Sequence, residues 1–131
     1  MNTTTIAEKK RILVVDDRAS QTRLLKLYLE QTNGYVVREE NHATAALDAA
    51  VDFHPHLILL DVMMPGMDGG ELAACFRANP KLKGVPIVFL TAAVTKGEVV
   101  AGGGQLGGFP FLAKPVGLTE VLACLRHHLG E

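Results

Sequence analysis

The sequence is poor in the features that mark several large classes of protein. Its 131 residues include two cysteines and no tryptophan, so we expect neither a disulfide framework nor a cysteine-rich zinc site. Cys75 and Cys124 both fall in helical patterns, which predicts that they are small buried apolar residues. Lysine and arginine (13) balance aspartate and glutamate (14), and no basic stripe is present. We therefore expect no nucleic-acid partner.

Long apolar runs are also absent. No window approaches the roughly 18 to 20 apolar residues of a transmembrane helix, and residues 1–5 lack the charged and apolar parts of a signal peptide. We therefore expect no membrane partner and a cytoplasmic location. With 48% apolar and 21% charged residues, the chain has the composition of an ordinary folded domain. The expected organisation is a flexible N-terminal tail over 1–10 and one domain over 11–131.

Five short apolar runs alternate with helical patterns along the chain. The runs are 12–15, 35–39, 57–60, 87–90 and 109–113. Runs that are apolar on both faces suit parallel strands covered by helices on both sides. The predicted fold is an α/β doubly wound five-stranded parallel sheet in the flavodoxin-like order 2-1-3-4-5. The fifth strand is then an edge strand, where Pro110 is tolerated.

The helical patterns differ in strength. Asn41 is expected to cap the second helix, and Asp68 is expected to cap the third. Between the fourth and fifth strands, residues 96–101 allow at most a turn or two of helix before a run of three glycines. Each interior glycine costs about 1 kcal/mol relative to alanine. We predict a short or irregular fourth helix and a mobile segment over about 97–108.

Residues that can do chemistry stand at the predicted carboxyl ends of four strands. They are Asp16 and Asp17 after the first strand, Asp61 after the third, Thr91 after the fourth and Lys114 after the fifth. An open doubly wound sheet binds its ligands at this edge. Taken singly, each residue could simply end a strand or cap a turn. Three carboxylates at one edge would repel one another without a cation, so together they indicate a cation-binding site.

Four segments resemble the receiver domains of two-component response regulators, the family that includes the single-domain chemotaxis regulators. The segments are 12–17 (ILVVDD), 57–69 (LILLDVMMPGMDG), 86–92 (PIVFLTA) and 111–115 (FLAKP). The resemblance extends from about Arg11 to the last residue. It implies the same doubly wound fold and a signalling function.

The resemblance also implies a role for individual residues. The implied roles are phosphoacceptor for Asp61, Mg²⁺ ligands for Asp16, Asp17, Asp61 and the backbone carbonyl of Met63, phosphoryl-oxygen ligands for Thr91 and Lys114, and switch residues for Thr91 and Phe111. The peptide bond before Pro115 is cis in the family. These roles are chemically consistent, because a carboxylate attacks an anionic phosphoryl donor poorly unless a dication and fixed cations offset the charge.

The implied function is that of a phosphoacceptor, not an enzyme. A histidine kinase or a histidine phosphotransfer protein would supply the phosphoryl group, and the domain would then change its partner-binding surface. The cognate kinase and the downstream target cannot be identified from the sequence. Slow phosphoryl hydrolysis is expected, because neither Met63 nor Ala93, each two positions after a site residue, can orient a water molecule by a hydrogen bond.

Two alternatives stay open at this point. The chain could be the receiver fragment of a hybrid histidine kinase or of a multidomain regulator, although the start at Met1 favours a natural single-domain protein. A phosphatase resembling the haloacid dehalogenases would also use an aspartyl nucleophile and Mg²⁺. That class needs a second aspartate two positions after the nucleophile, where this chain has Met63.

Overall fold

The structure, a computed structural model, describes residues 9–91, 105–106 and 109–130. The strands are β1 (Lys10–Val15), β2 (Tyr35–Glu40), β3 (Leu57–Asp61), β4 (Met63–Met64), β5 (Met67–Asp68), β6 (Ile87–Thr91), β7 (Gln105–Leu106) and β8 (Phe109–Ala113). The helices are α1 (Ala19–Gln31), α2 (Ala43–Phe53), α3 (Gly69–Ala78) and, near the C-terminus, α4 (Leu118–Leu129). The predicted irregular helix over 96–101 lies outside the described residues, as does most of the segment over 97–108 that we expect to be mobile. Residues 1–8 of the expected flexible tail over 1–10 also lie outside the described residues, and Lys10 already belongs to β1.

The parallel strands occur in the order β2-β1-β3-β6-β8. This is the predicted flavodoxin-like order, and each predicted strand agrees with an observed one to within two residues at either end. The short strand β7 lies outside β8 and pairs with it antiparallel, Leu106 opposite Phe109 and Gln105 opposite Pro110. The first two residues of the fifth parallel strand are therefore paired on their outer side, whereas the sequence predicted an unpaired edge strand there. Pro110 has no N–H to contribute to this pairing, which leaves only its carbonyl for the partner.

The hydrophobic core forms two clusters, one on each face of the sheet. Alternate strand residues point to opposite faces, because the side-chain period of a strand is two. Leu13, Ile58 and Phe89 pack with α2 and α3 on one face. Val14, Leu59 and Val88, each next to one of these in the chain, pack with α1 and α4 on the other. The central strands β1, β3 and β6 are thus buried on both sides, as their unbroken apolar runs predict, whereas Val36 of the edge strand β2 is exposed.

A tight hairpin, formed by β4 and β5, connects β3 to α3. Gly66 has a φ of +76° in the turn between the two strands, a conformation that L side chains rarely adopt. A Cβ atom built on Gly69 would lie 2.7 Å from the Cα of Val62. The first turn of α3 therefore packs directly on the backbone that follows β3. The hairpin was not predicted from the sequence.

Three local expectations can be compared with the structure. Asp68 caps α3 as predicted, since its Oδ1 accepts a hydrogen bond from the Gly70 N–H at 2.7 Å. Asn41 does not cap α2; His42 is the capping residue, without a side-chain bond, and the Asn41 amide points to α1 and β1 instead. The prediction that both cysteines are buried is wrong for Cys75, which is exposed on the outer face of α3, whereas Cys124 is partly buried. None of the helices in the described part of the chain has the length and hydrophobicity of a transmembrane segment.

Candidate functional site

Four of the residues predicted to form the site stand at the carboxyl edge of the sheet. Asp16 follows β1 directly, Asp61 ends β3, Thr91 ends β6 and Lys114 follows β8. The central pairing of β3 with both β1 and β6 brings these strand ends side by side. The site is therefore assembled by parallel pairing of strands that are distant in sequence.

Three carboxylates form the centre of the site. One oxygen from each of Asp16, Asp17 and Asp61 can be chosen so that all three lie within 4.8 Å of one another. Asp16 and Asp61 are 1% and 4% exposed, whereas Asp17 is exposed to solvent. Hard carboxylate oxygens at this spacing are the ligands that Mg²⁺ prefers, so the donor set fits a divalent cation.

Lys114 supplies a positive charge to the two buried carboxylates. Its Nζ lies 2.7 Å from Asp16 Oδ2 and 3.3 Å from Asp61 Oδ2. The Lys114–Pro115 peptide bond is cis, as the family resemblance implies. One ammonium group offsets only one of the three negative charges, so these four side chains together stay attractive to a cation.

Asp61 is held from both sides. Its Oδ1 accepts a hydrogen bond from the Met63 N–H at 3.0 Å, and its Oδ2 faces Lys114. Burial raises the pKa of the Asp61 carboxyl, and the nearby Asp16 carboxylate raises it further, while the Met63 N–H and the Lys114 ammonium oppose the increase. The Asp61 carboxylate therefore has a fixed orientation and little contact with water. The positive charge near it does not fully balance its negative charge.

Asp16 is restrained at three atoms. Its Oδ1 accepts from the Arg18 N–H at 3.0 Å, its Oδ2 accepts from Lys114, and its backbone carbonyl accepts from the Asn41 side chain at 2.8 Å. Neither Arg18 nor Asn41 was predicted to take part. The strand pattern could have located Asn41, because it follows β2 at the same edge where Asp16 follows the neighbouring β1.

Thr91 and Phe111 are near the site but not in the carboxylate cluster. Thr91 is fully buried, and its backbone carbonyl accepts the Lys114 N–H at 2.8 Å. Phe111 packs in the core cluster on the face of α2 and α3, where it lies opposite Phe89 of the adjacent strand. Their predicted switch roles therefore stay predictions.

A cavity of about 530 Å³ opens in front of the carboxylates. Its charged lining consists of Asp17, Arg18, Asp61 and Lys114, and residues 62–65 and 67 form the rest of its wall. Met63 is 64% exposed at the rim, so a reactant can reach Asp61 past a flexible side chain. A second groove of about 400 Å³ shares Arg18 and Lys114 with this cavity and continues along α1.

Comparisons with known proteins agree with this geometry. Residues 12–126 match the family described as "Response regulator receiver domain". A putative response regulator from Chloroflexus aurantiacus superposes with a TM-score of 0.79 at 31% identity, covering 95% of this chain and 100% of that one. The chemotaxis protein CheY4 from Vibrio cholerae superposes with a TM-score of 0.78 at 29% identity, covering 93% and 100%.

Two relatives are similar over most of this chain. The DNA-binding response regulator MtrA of Mycolicibacterium paratuberculosis is 38% identical over 121 residues, which are 92% of this chain and 52% of that protein. The transcriptional regulatory protein ResD of Bacillus subtilis is 40% identical over 114 residues, or 86% and 45%. The chain therefore spans about half the length of these relatives. Together with the carboxylate cluster and Lys114, these matches show that the chain belongs to the response regulator receiver domain family.

Proposed function

We propose that this receiver domain accepts a phosphoryl group on Asp61 from the phosphohistidine of a histidine kinase or a histidine phosphotransfer protein. The observation that supports this most directly is the position of Asp61. Its carboxylate lies in an open cavity, beside two further carboxylates and within hydrogen-bonding distance of the Lys114 ammonium. Such a site can bring an anionic donor to a carboxylate nucleophile.

The proposed reaction is an in-line displacement at phosphorus. A carboxylate oxygen of Asp61 forms the new P–O bond as the P–N bond to the donor imidazole breaks, and the imidazole leaves with that electron pair and takes a proton from solvent. Asp16, Asp17, Asp61 and the Met63 carbonyl would hold Mg²⁺, which when bound supplies positive charge against the developing phosphoryl oxygens. Lys114 would stabilise one of these oxygens, and the Thr91 hydroxyl another.

The groove along α1 is the proposed binding site for the phosphodonor protein. Leu24 and Tyr28 lie one turn apart on this helix and are 47% and 40% exposed, so they form an apolar patch that a partner can cover. They line the groove with Pro115 and Val116, and the groove continues into the site through Lys114. A donor helix packed here would place a phosphohistidine beside Asp61.

Some expectations remain predictions. The absence of a nucleic-acid partner concerns this segment only, because MtrA, which extends well beyond the matched region, is named as DNA-binding. The cytoplasmic location, the switch of the partner-binding surface and slow hydrolysis also stay predictions, and Ala93 lies outside the described residues. Membership of the receiver family removes the support for a haloacid-dehalogenase-like phosphatase. The two relatives named above are response regulators, which favours that class over a hybrid kinase.

Intact-protein mass spectrometry tests the proposal. Incubation with Mg²⁺ and phosphoramidate should add one phosphoryl group to the wild type and none to Asp61→Asn, because an amide cannot form an acyl phosphate. Asp52→Asn, at an exposed aspartate of α2 that pairs with Arg38 and is not part of the carboxylate cluster, is the matched control and should be phosphorylated normally. Phosphorylation of Asp61→Asn to the wild-type extent would refute the assignment.

A further inference from the structure

The peptide unit between Asp16 and Asp17 is held by a side chain from a different strand. Asp16 Oδ1 and Oδ2 are already bonded within the site, and its N–H donates to the Glu40 carbonyl at 3.1 Å. The Asp16 carbonyl points instead to Asn41, whose Nδ2 lies 2.8 Å away. Because a peptide unit is planar, fixing this carbonyl also fixes the direction in which the chain enters Asp17.

The orientation of the Asn41 amide follows from its partners. The Asp16 carbonyl can only accept, so the Asn41 NH₂ group must face it, and the same nitrogen lies 3.0 Å from Thr22 Oγ1. The Thr22 hydroxyl is fully buried and can donate in turn to Glu39 Oε1 at 2.8 Å. The carboxylate of Glu39 ends this chain of hydrogen bonds, with Arg23 on its other oxygen. Every donor in the chain thus has an acceptor.

We propose that Asn41 is a positioning residue for Asp17, acting through the Asp16–Asp17 peptide. Asp17 is exposed, so its location depends on its backbone more than on contacts of its side chain. With Asn41 in place, the Asp17 carboxylate is presented to the same point as Asp16 and Asp61 before a cation arrives. This inference rests on the proposed function, because it assumes that the three carboxylates bind Mg²⁺. Partners of metal ligands that fix ligand orientation typically change affinity by 10- to 100-fold when they are removed.

Magnesium titration of folded protein, followed through the amide resonances of Asp17 and Met63 in ¹H–¹⁵N spectra, tests the proposal. Asn41→Ala should weaken Mg²⁺ binding by about 10-fold. Val37→Ala is the matched control: it truncates a buried β2 side chain that faces the core and should lower stability while leaving the Mg²⁺ affinity within about twofold. Loss of affinity in both variants would show a merely structural role and would overturn the proposal.

Two further outcomes separate this inference from the proposed function. If the wild type binds no Mg²⁺, the proposed site itself fails. If the wild type binds Mg²⁺ and Asn41→Ala binds it equally well, only the positioning role fails. Should Asn41→Ala not fold, Thr22→Val replaces it, because it removes the buried hydroxyl that anchors the Asn41 amide. At least threefold weaker Mg²⁺ binding in that variant would support the proposal, and unchanged binding would refute it.

Discussion

At the scale of single residues, the site is defined by an imbalance of charge. Asp16 and Asp61 are both buried, and Lys114, whose side chain is 16% exposed, lies between them. Because burial raises the pKa of Asp61 above its unfolded value, the ionised carboxylate lowers the stability of the folded state at neutral pH. That penalty disappears as the pH falls below the ordinary range for a carboxyl group.

Removing the ammonium group should enlarge this penalty. Lys114→Met should lower the free energy of unfolding by about 1 to 3 kcal/mol at pH 7, because two buried carboxylates lose their shared partner. The loss should shrink as the pH falls and Asp61 takes up a proton, which urea unfolding between pH 4 and pH 8 will show. Lys81→Met, at an exposed lysine after α3, is the control and should change stability by less than about 0.5 kcal/mol. A loss that is equally large at pH 4 would contradict the electrostatic explanation.

The two cysteines should differ in reactivity. Cys75 is exposed, whereas burial raises the pKa of the Cys124 thiol and limits access to it. Since the thiolate is the reactive form, Cys124 should react with a disulfide reagent at least about tenfold more slowly than Cys75 at pH 8. Reaction of Cys75→Ser and Cys124→Ser with the reagent, followed by absorbance, assigns the two phases. Equal rates for the two single-cysteine proteins would contradict the burial of Cys124.

At the scale of elements, the strands that a periodic apolar pattern encodes could be predicted from the sequence. Features that depend on contacts between elements could not. Apolar runs located all five parallel strands, and Asp68 was placed correctly as a cap. The β4–β5 hairpin was missed because two-residue strands are too short to show a period. Asn41 was misassigned because a cap and a contact to a neighbouring strand require the same residue type, and only the fold decides between them. The clustering of the three carboxylates was predictable, since the carboxyl ends of strands converge wherever the parallel strand order is known.

The junction between β3 and α3 gives an element-scale prediction. A methyl group on Gly69 would collide with the Val62 backbone, which cannot move aside without shifting the segment that follows Asp61. Gly69→Ala should therefore lower the free energy of unfolding by about 1 to 3 kcal/mol. Gly84→Ala, where nothing lies within 4 Å of the added carbon, should stay within about 1 kcal/mol of the wild type. Chemical denaturation distinguishes them, and equal values would refute the close-packing argument.

At the scale of the whole molecule, the site exists only when the fold is complete. Lys114 and Asp16 are 98 positions apart in sequence, and Lys114 and Asp61 are 53 apart. The strands that carry these residues pack against α2 and α3 on one face of the sheet and against α1 and α4 on the other. An unfolded chain cannot hold these carboxylates together, so a cation that needs all three of them binds the folded state alone.

Magnesium should therefore stabilise the protein by mass action. At a concentration ten times its Kd, a ligand of the folded state adds RT ln 11, or about 1.4 kcal/mol, which raises the Tm of a domain of this size by roughly 4 to 7 °C. Asp17→Asn removes one carboxylate of the cluster at its exposed position and should lose most of this increase while unfolding normally without metal. Calorimetric scans with MgCl₂, and with NaCl at matched ionic strength, separate binding from screening. A Tm increase of the same size in Asp17→Asn and the wild type would show that Mg²⁺ acts elsewhere on the protein.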